Sequence, residues 1–149
     1  MGLYVDRLGR ELEWKTAFAT ITFTGATGLG AVGTVLVFTV TGVVITDRIF
    51  PFCTVDLTEA AATATIALGI PASTAGIIAA TTATAIDVNE FWLSTTPATA
   101  VDQAAAGITR TWFLADTTIN CTVATQNVNG GTLEFWLRYM PLSVGATVV

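Results

Sequence analysis

Histidine is absent from this chain of 149 residues, and charge of either sign is scarce. Without an imidazole there can be no Ser-His-Asp triad, no histidine-ligated zinc and no histidine pH switch. Only 11% of the residues are charged, against about 25% in ordinary globular domains. Six cations against eleven acids give a net charge of −5. This balance excludes a nucleic-acid binder that works through a basic face.

The residues that remain are largely apolar: 52% are hydrophobic, and the mean hydropathy is +0.67. This excludes a disordered chain, and the length fits about one domain. Two uncharged runs, 16–46 and 60–86, are long enough to nominate membrane helices. Glycine, threonine and valine dominate the first run, Gly69, Pro71 and Gly76 break the second, and neither has a basic flank. We therefore expect no membrane span.

The first fifteen residues hold a disproportionate share of the charge, including the only lysine, Lys15. We treat 1–15 as an N-terminal arm and 16–149 as a β-sandwich domain. Apolar side chains four residues apart are consistent with one short amphipathic helix, which Gly9 weakens. We predict that the arm orders against a partner; packing of a frayed start on its own domain is the alternative. The expected partner-binding anchors are Tyr4, Leu8, Leu12 and Trp14.

From residue 16 onward, short segments alternate apolar with polar side chains, which is typical of half-buried strands. The sequence predicts an all-β, antiparallel, jelly-roll-like sandwich of about eight or nine strands. The turn-forming segment 127–131 predicts a hairpin between the last two strands. The predicted strands are 17–24, 34–41, 43–52, 63–70, 76–81, 90–94, 108–115, 118–125 and 132–139.

One four-residue motif, Glu-Phe-Trp-Leu, occurs at Glu90 and again at Glu134, each time followed by a proline a few residues later. Adjacent residues of a strand face opposite sides. Each motif should therefore place one ring in the core and the other on the outer face or at a subunit contact. Core strands of similar character explain the repetition more simply than an internal duplication does.

No motif predicts a catalytic, cofactor or metal site, and we expect a protein that is not an enzyme. Gly28–Gly33 fits GxGxxG, but a strand follows it where a dinucleotide site needs a helix. The neighbouring acids Asp56 with Glu59 and Asp87 with Glu90 are interpreted as solvated turn residues. No loop has the pattern of a calcium site.

The opening residues lack the apolar segment of a secretion signal. We therefore expect synthesis in a cytosol, with Cys53 and Cys121 reduced and buried, although a disulfide between them is the alternative. Three tryptophans in strand-like segments, Trp92, Trp112 and Trp136, leave a glycan-binding module open as an alternative function.

Past residue 15 the chain has few charges with which to protect sheet edges and outer faces. We therefore expect these surfaces to be completed by symmetric assembly or by another partner.

Three segments, Thr63–Ile70, Ile78–Asp87 and Gly130–Ser143, resemble small Thr/Ala-rich structural proteins of tailed bacteriophages, and the resemblance extends from Val32 to the C-terminus. It implies a non-enzymatic virion protein that decorates the head or otherwise lies on the capsid lattice. Such proteins are often β-rich and often trimeric, and the resemblance transfers no site residues.

On this basis we expect a head decoration or minor capsid protein that bridges neighbouring subunits of the major capsid protein. The expected partners are that protein and further copies of the chain in a homo-oligomer, expected to be a trimer, with no nucleic acid and no membrane. We expect synthesis in the host cytoplasm and a final place on the capsid surface. A phage tail or fibre-base component is the alternative within virions.

Overall fold

The computed structural model of the chain describes residues 4–5, 11–99 and 111–149, in which the only helix is one short 3-10 turn, Ala83–Ala85. All the other regular elements of these ranges are strands. They are β1 (Tyr4–Val5), β2 (Glu11–Leu12), β3 (Lys15–Thr22), β4 (Gly33–Glu59), β5 (Thr65–Ile70), β6 (Ser73–Thr82), β7 (Glu90–Phe91), β8 (Ala98–Thr99), β9 (Trp112–Ala124), β10 (Val128–Pro141) and β11 (Thr147–Val148).

Strands β3 to β11 form one antiparallel sheet of nine strands, in the order β3-β10-β4-β9-β5-β6. The short strands β7 and β11 pair with β4, and β8 pairs with β7. The predicted all-β, antiparallel class and the predicted strand number are confirmed. Inward side chains from both halves of the sheet meet in one buried cluster, as in a sandwich.

The sheet folds over on itself because its longest strand bends. A straight strand of 27 residues would span about 90 Å, whereas a compact domain of this size is roughly 40 Å across. The first half of β4 pairs with β9 and the second half with β10. Shifts in register mark the bends, and at one of them both Val37 and Phe38 are buried, which a regular strand does not allow.

A second bend joins segments that the sequence predicts as separate strands. The two paired strands bend at the same place, near Gly42 (φ +69°) in β4 and Asp116 (φ +42°) in β9. The backbone N–H of Gly42 donates to Oδ1 of Asp116 at 2.7 Å. The predicted strands 34–41 and 43–52 are therefore one bent strand, and so are the described parts of 108–115 and 118–125; residues 108–110 lie outside the described residues.

The predicted hairpin between the last two strands is wrong. The two strands are joined through 125–127, but β10 pairs with β3 and β4, while β9 pairs with β4 and β5. The glycines of the segment 127–131 lie inside β10, where Gly131 (φ +107°) passes close to the backbone of β4. The positive-φ signal thus marks an irregular strand and not a turn.

The N-terminal segment also differs from expectation. Tyr4–Val5 and Glu11–Leu12 are paired antiparallel strands, so the described part of the segment is not an amphipathic helix. A segment of about twelve residues interrupted by a glycine has little intrinsic helix stability, and strand pairing therefore competes easily.

Trp92 is the largest of the fully buried side chains in the described core. Its Nε1 donates to Oγ1 of Thr81 at 2.8 Å, so the indole N–H is satisfied inside the protein. Cys53 and Cys121 are buried and free, as predicted. Burial raises the pKa of Cys53 to about 11 and that of Cys121 to about 12, which keeps both thiols protonated at neutral pH.

Candidate interaction surface

An aromatic row crosses the outer surface of three neighbouring strands. Trp136 of β10 lies in register with Phe18 of β3 on one side and with Phe50 of β4 on the other. Side chains of directly opposed residues in an antiparallel pair project from the same face of the sheet. The ring centroids of Trp136 and Phe18 are 5.1 Å apart, and those of Trp136 and Phe50 are 6.3 Å apart.

Two further rings extend this row. Phe52 of β4 lies 6.5 Å from Trp136 and 4.9 Å from Phe91 of β7, measured between ring centroids. We call the five residues Phe18, Phe50, Phe52, Phe91 and Trp136 the aromatic face. Phe18 has 54% of its surface exposed, and the other four are half-buried. A contiguous apolar patch of this kind on the outside of a sheet is typical of an interaction site.

The repeated sequence motif produces this face. In each copy one aromatic side chain is buried and its neighbour points outward, as predicted. Trp92 and Phe135 are in the core, whereas Phe91 and Trp136 belong to the aromatic face. The motif therefore predicts that one ring of each copy faces outward. It does not predict that the outward rings of two distant segments lie in one face.

Arg138 borders the aromatic face and is held on two sides. Its guanidinium makes a bidentate contact with the carboxylate of Asp47: Nε donates to Oδ1 at 2.9 Å, and Nη2 donates to Oδ2. Its guanidinium carbon also lies 4.5 Å from the ring centroid of Trp14, a cation–π contact. Asp47 reaches Arg138 because it is the extra residue of a bulge: Arg48 pairs with Arg138, and Thr46 pairs with Tyr139.

The hydrogen bond from Arg138 is the main reason that the pKa of Asp47 lies below its ordinary value of 3.8. A carboxyl whose pKa is lower in the folded state stabilises the fold above its unfolded pKa, and this contribution is lost as the pH falls. We expect Asp47→Asn to lower the melting temperature by about 1–3 °C at pH 7, since the pair is partly solvated. This difference from wild type should shrink between about pH 5 and pH 2.

The measurement is thermal unfolding of both proteins across that pH range. Asp87→Asn is the matched control, because Asp87 is exposed and has no cation within bonding distance among the described residues. A difference between wild type and Asp47→Asn that stays constant with pH would contradict the assignment.

The predicted anchors of the arm are separated in the structure. Trp14, with 39% of its surface exposed, lies against Arg138 at the border of the aromatic face. Leu12 instead lines a cleft of about 310 Å³ together with Lys15 and Val144. The backbone of Tyr4 is in β1, and Leu8 lies outside the described residues.

Trp92, one of the three tryptophans considered for sugar stacking, cannot serve there because it is completely buried. The acids interpreted as solvated turn residues accept hydrogen bonds from backbone N–H groups of loops, and three of them lie in strands: Asp56 and Glu59 at the end of β4, and Glu90 in β7. Asp56 accepts from the N–H of Val88 at 2.5 Å, Glu90 from that of Asp87 at 3.0 Å, and Glu59 from that of Thr63 at 2.8 Å.

Within the described ranges, the side chains of cysteine and the acids form no group of three or more that could hold a metal ion. Nor does any helix there have the length and apolar character needed to cross a membrane.

Comparison with known proteins identifies likeness in fold alone. No protein-family model and no curated protein matches the chain. A chain of the structure "Cyanophage Pam1 capsid asymmetric unit" matches with a TM-score of 0.50 and 17% identity, over 95% of this chain and 94% of that one. A chain of "Acidic stable capsid structure of Helicobacter pylori bacteriophage KHP30" gives a TM-score of 0.48 and 10% identity, over 93% and 98% of the two chains. The likeness to the Pam1 chain shows that the two proteins share a fold along nearly their whole lengths.

Proposed function

We propose that this protein is a non-enzymatic structural component of a bacteriophage capsid, which binds the lattice of the major capsid protein and reinforces it. The observation that carries the proposal is the shared fold, which covers 95% of this chain and 94% of a chain from a cyanophage capsid asymmetric unit. The resemblance of segments such as Gly130–Ser143 to phage structural proteins points the same way. A role on the capsid surface as a decoration protein is the form that we favour.

The surface chemistry supports a protein that works in an assembly. Charged residues are few, and the aromatic face leaves apolar rings in contact with solvent. A protein that binds the assembled shell and not its free subunits stabilises the shell by mass action. Copies linked in a homo-oligomer, which we propose to be a trimer, gain avidity although each contact is weak.

The N-terminal arm is the part that we propose to contact the lattice, with Tyr4, Leu8, Leu12 and Trp14 as anchors. Apolar and aromatic side chains dominate the energy of most interfaces. Trp14 also contacts Arg138 of β10, which attaches the end of the arm to the sheet.

The test is the composition of purified particles. Quantitative mass spectrometry should find the chain in a copy number comparable with that of the major capsid protein. A variant that lacks residues 1–13 keeps Trp14 and the whole of β3, so it should unfold at nearly the wild-type temperature but bind particles with much lower occupancy. Full occupancy by this variant would overturn the role of the arm. Only a few copies of the full chain per particle would favour the tail or fibre-base alternative.

A further inference from the structure

The two rows of side chains that border the aromatic row carry opposite charge. On one side Arg138 and Arg48 lie in register, and on the other side Glu134 lies in register with Thr20 and Phe52. Same-face residues of a strand are about 7 Å apart, so the guanidinium row and Glu134 are separated by about 14 Å, with Trp136 midway.

Both charges are available for a partner. The side chain of Glu134 has no ion pair or hydrogen bond among the described residues. The side chain of Arg48 is 51% exposed, and its Nε is 3.9 Å from Asp47. The guanidinium of Arg138 keeps further N–H groups that Asp47 does not use.

We propose that the aromatic face binds the same face of a second copy of this chain, around a twofold axis that runs along the row Phe18–Trp136–Phe50, across the strands. Each ring of this row then faces its own counterpart. Arg138 of each copy faces Glu134 of the other, and Arg48 faces the ring of Phe52 of the second copy. The contact is self-complementary, as a twofold interface requires.

The charges decide the direction of the axis. An axis parallel to the strands also brings the aromatic faces together, but it places the row of Arg138 and Arg48 against the same row of the second copy. Each row has two guanidinium groups and only one carboxylate, that of Asp47, so two net positive charges would then meet, and Glu134 would face Glu134. Like charges that face each other in a desolvated interface repel strongly, so the axis across the strands is favoured.

The area of the face suits a weak but specific contact. Three strands at about 4.8 Å spacing and eight paired residues at about 3.4 Å each, with the two residues of β7 added, give roughly 420 Å² per copy. Two copies then bury about 850 Å², which is the size of a weak, transient contact. A dissociation constant in about the micromolar range is expected for such a contact.

The twofold dimer is one form of the self-association in the proposed function, and only its biological role rests on that function. A twofold contact joins two protomers, so in a trimeric assembly it would link neighbouring trimers. Its test uses the isolated full-length chain and no particle. A chain that stays monomeric but binds particles overturns the inference alone, and a dimer that is absent from particles overturns the proposed function alone.

The test is sedimentation equilibrium of the full-length chain over a range of concentrations. Wild type should dimerise reversibly. Phe18→Glu places two carboxylates opposite each other on the axis and should raise the dissociation constant by about a hundredfold or more. Leu36→Glu is the matched control, because Leu36 is 52% exposed on the distant first half of β4, and this variant should dimerise like wild type.

Glu134→Lys is a second variant, which keeps the aromatic rings and should weaken the dimer because it places an ammonium group near Arg138 of the second copy. Thermal unfolding shows that each variant is folded. A wild-type chain that remains monomeric up to about 1 mM would overturn the proposal. So would a dimer that survives both Phe18→Glu and Glu134→Lys, or one that only Leu36→Glu disrupts.

The direction of the axis is tested by cross-linking. Thr16 and Thr20 are exposed on the same face of β3, and the proposed axis brings Thr16 of one copy opposite Thr20 of the other. Thr16→Cys and Thr20→Cys variants should therefore cross-link through a short bis-maleimide when mixed, and much less when each is alone; Cys53 and Cys121 are buried. Equal cross-linking of either variant alone, or none in a mixture that dimerises, would overturn the proposed axis.

Discussion

Trp92→Ala should lower the free energy of unfolding by about 4 kcal/mol, and hence the melting temperature by roughly 10 °C. Trp92 is completely buried and is the largest side chain in the described core. Its removal leaves a cavity that the surrounding strands can fill only in part. The measurement is urea unfolding, with the midpoint and the slope fitted separately.

The indole N–H contributes separately from the volume of the ring. Trp92→Phe keeps most of the volume but deletes the hydrogen bond to Oγ1 of Thr81, and we expect a loss of about 1–2 kcal/mol. In a double-mutant cycle, Trp92→Phe combined with Thr81→Val should cost less than the sum of the two single changes. Strict additivity, or a loss below about 1 kcal/mol for Trp92→Ala, would contradict the assigned core.

Gly131→Ala should lower the free energy of unfolding by about 2–4 kcal/mol, for two reasons that act together. The residue has φ +107°, which side chains disfavour, and an added Cβ would lie 2.5 Å from the carbonyl oxygen of Asp56. That oxygen belongs to the backbone of β4, so relief requires β10 and β4 to separate locally. Thermal or urea unfolding measures the effect.

Gly28→Ala is the matched control for the backbone conformation. Gly28 has φ +76°, but nothing lies within 4 Å of the position where its Cβ would be. It should therefore lose only about 1 kcal/mol, the cost of the disfavoured φ. Equal losses at both positions would show that the close approach of β10 to β4 is not as described.

Local sequence patterns predicted much of this fold. Alternation of apolar and polar side chains located the main strands, and the Glu-Phe-Trp-Leu motifs predicted that one ring of each pair faces outward. The expectation from the scarcity of charge past residue 15, that some surfaces need a partner, stays a prediction. The sequence predicts strand ends near Gly42 and Asp116. The structure has a bend at each place, but the strands continue through it.

The pairing of strands could not be predicted in this way. Alternation tells which face a side chain is on, but not which strand lies beside it. That β10 lies between β3 and β4 depends on packing of the whole core, and the turn residues of 127–131 misled the prediction for this reason. The contact of Trp14, Asp47 and Arg138 joins three distant segments, and it follows from the sheet order and not from any motif.

Cryo-electron microscopy of native particles tests the central claim most directly. We predict density for this β-fold at regular positions on the outer surface of the capsid, with each copy in contact with more than one subunit of the major capsid protein. Two results would contradict the proposed function. One is a lattice without this density, in particles whose purified protein does not contain the chain. The other is density confined to the tail.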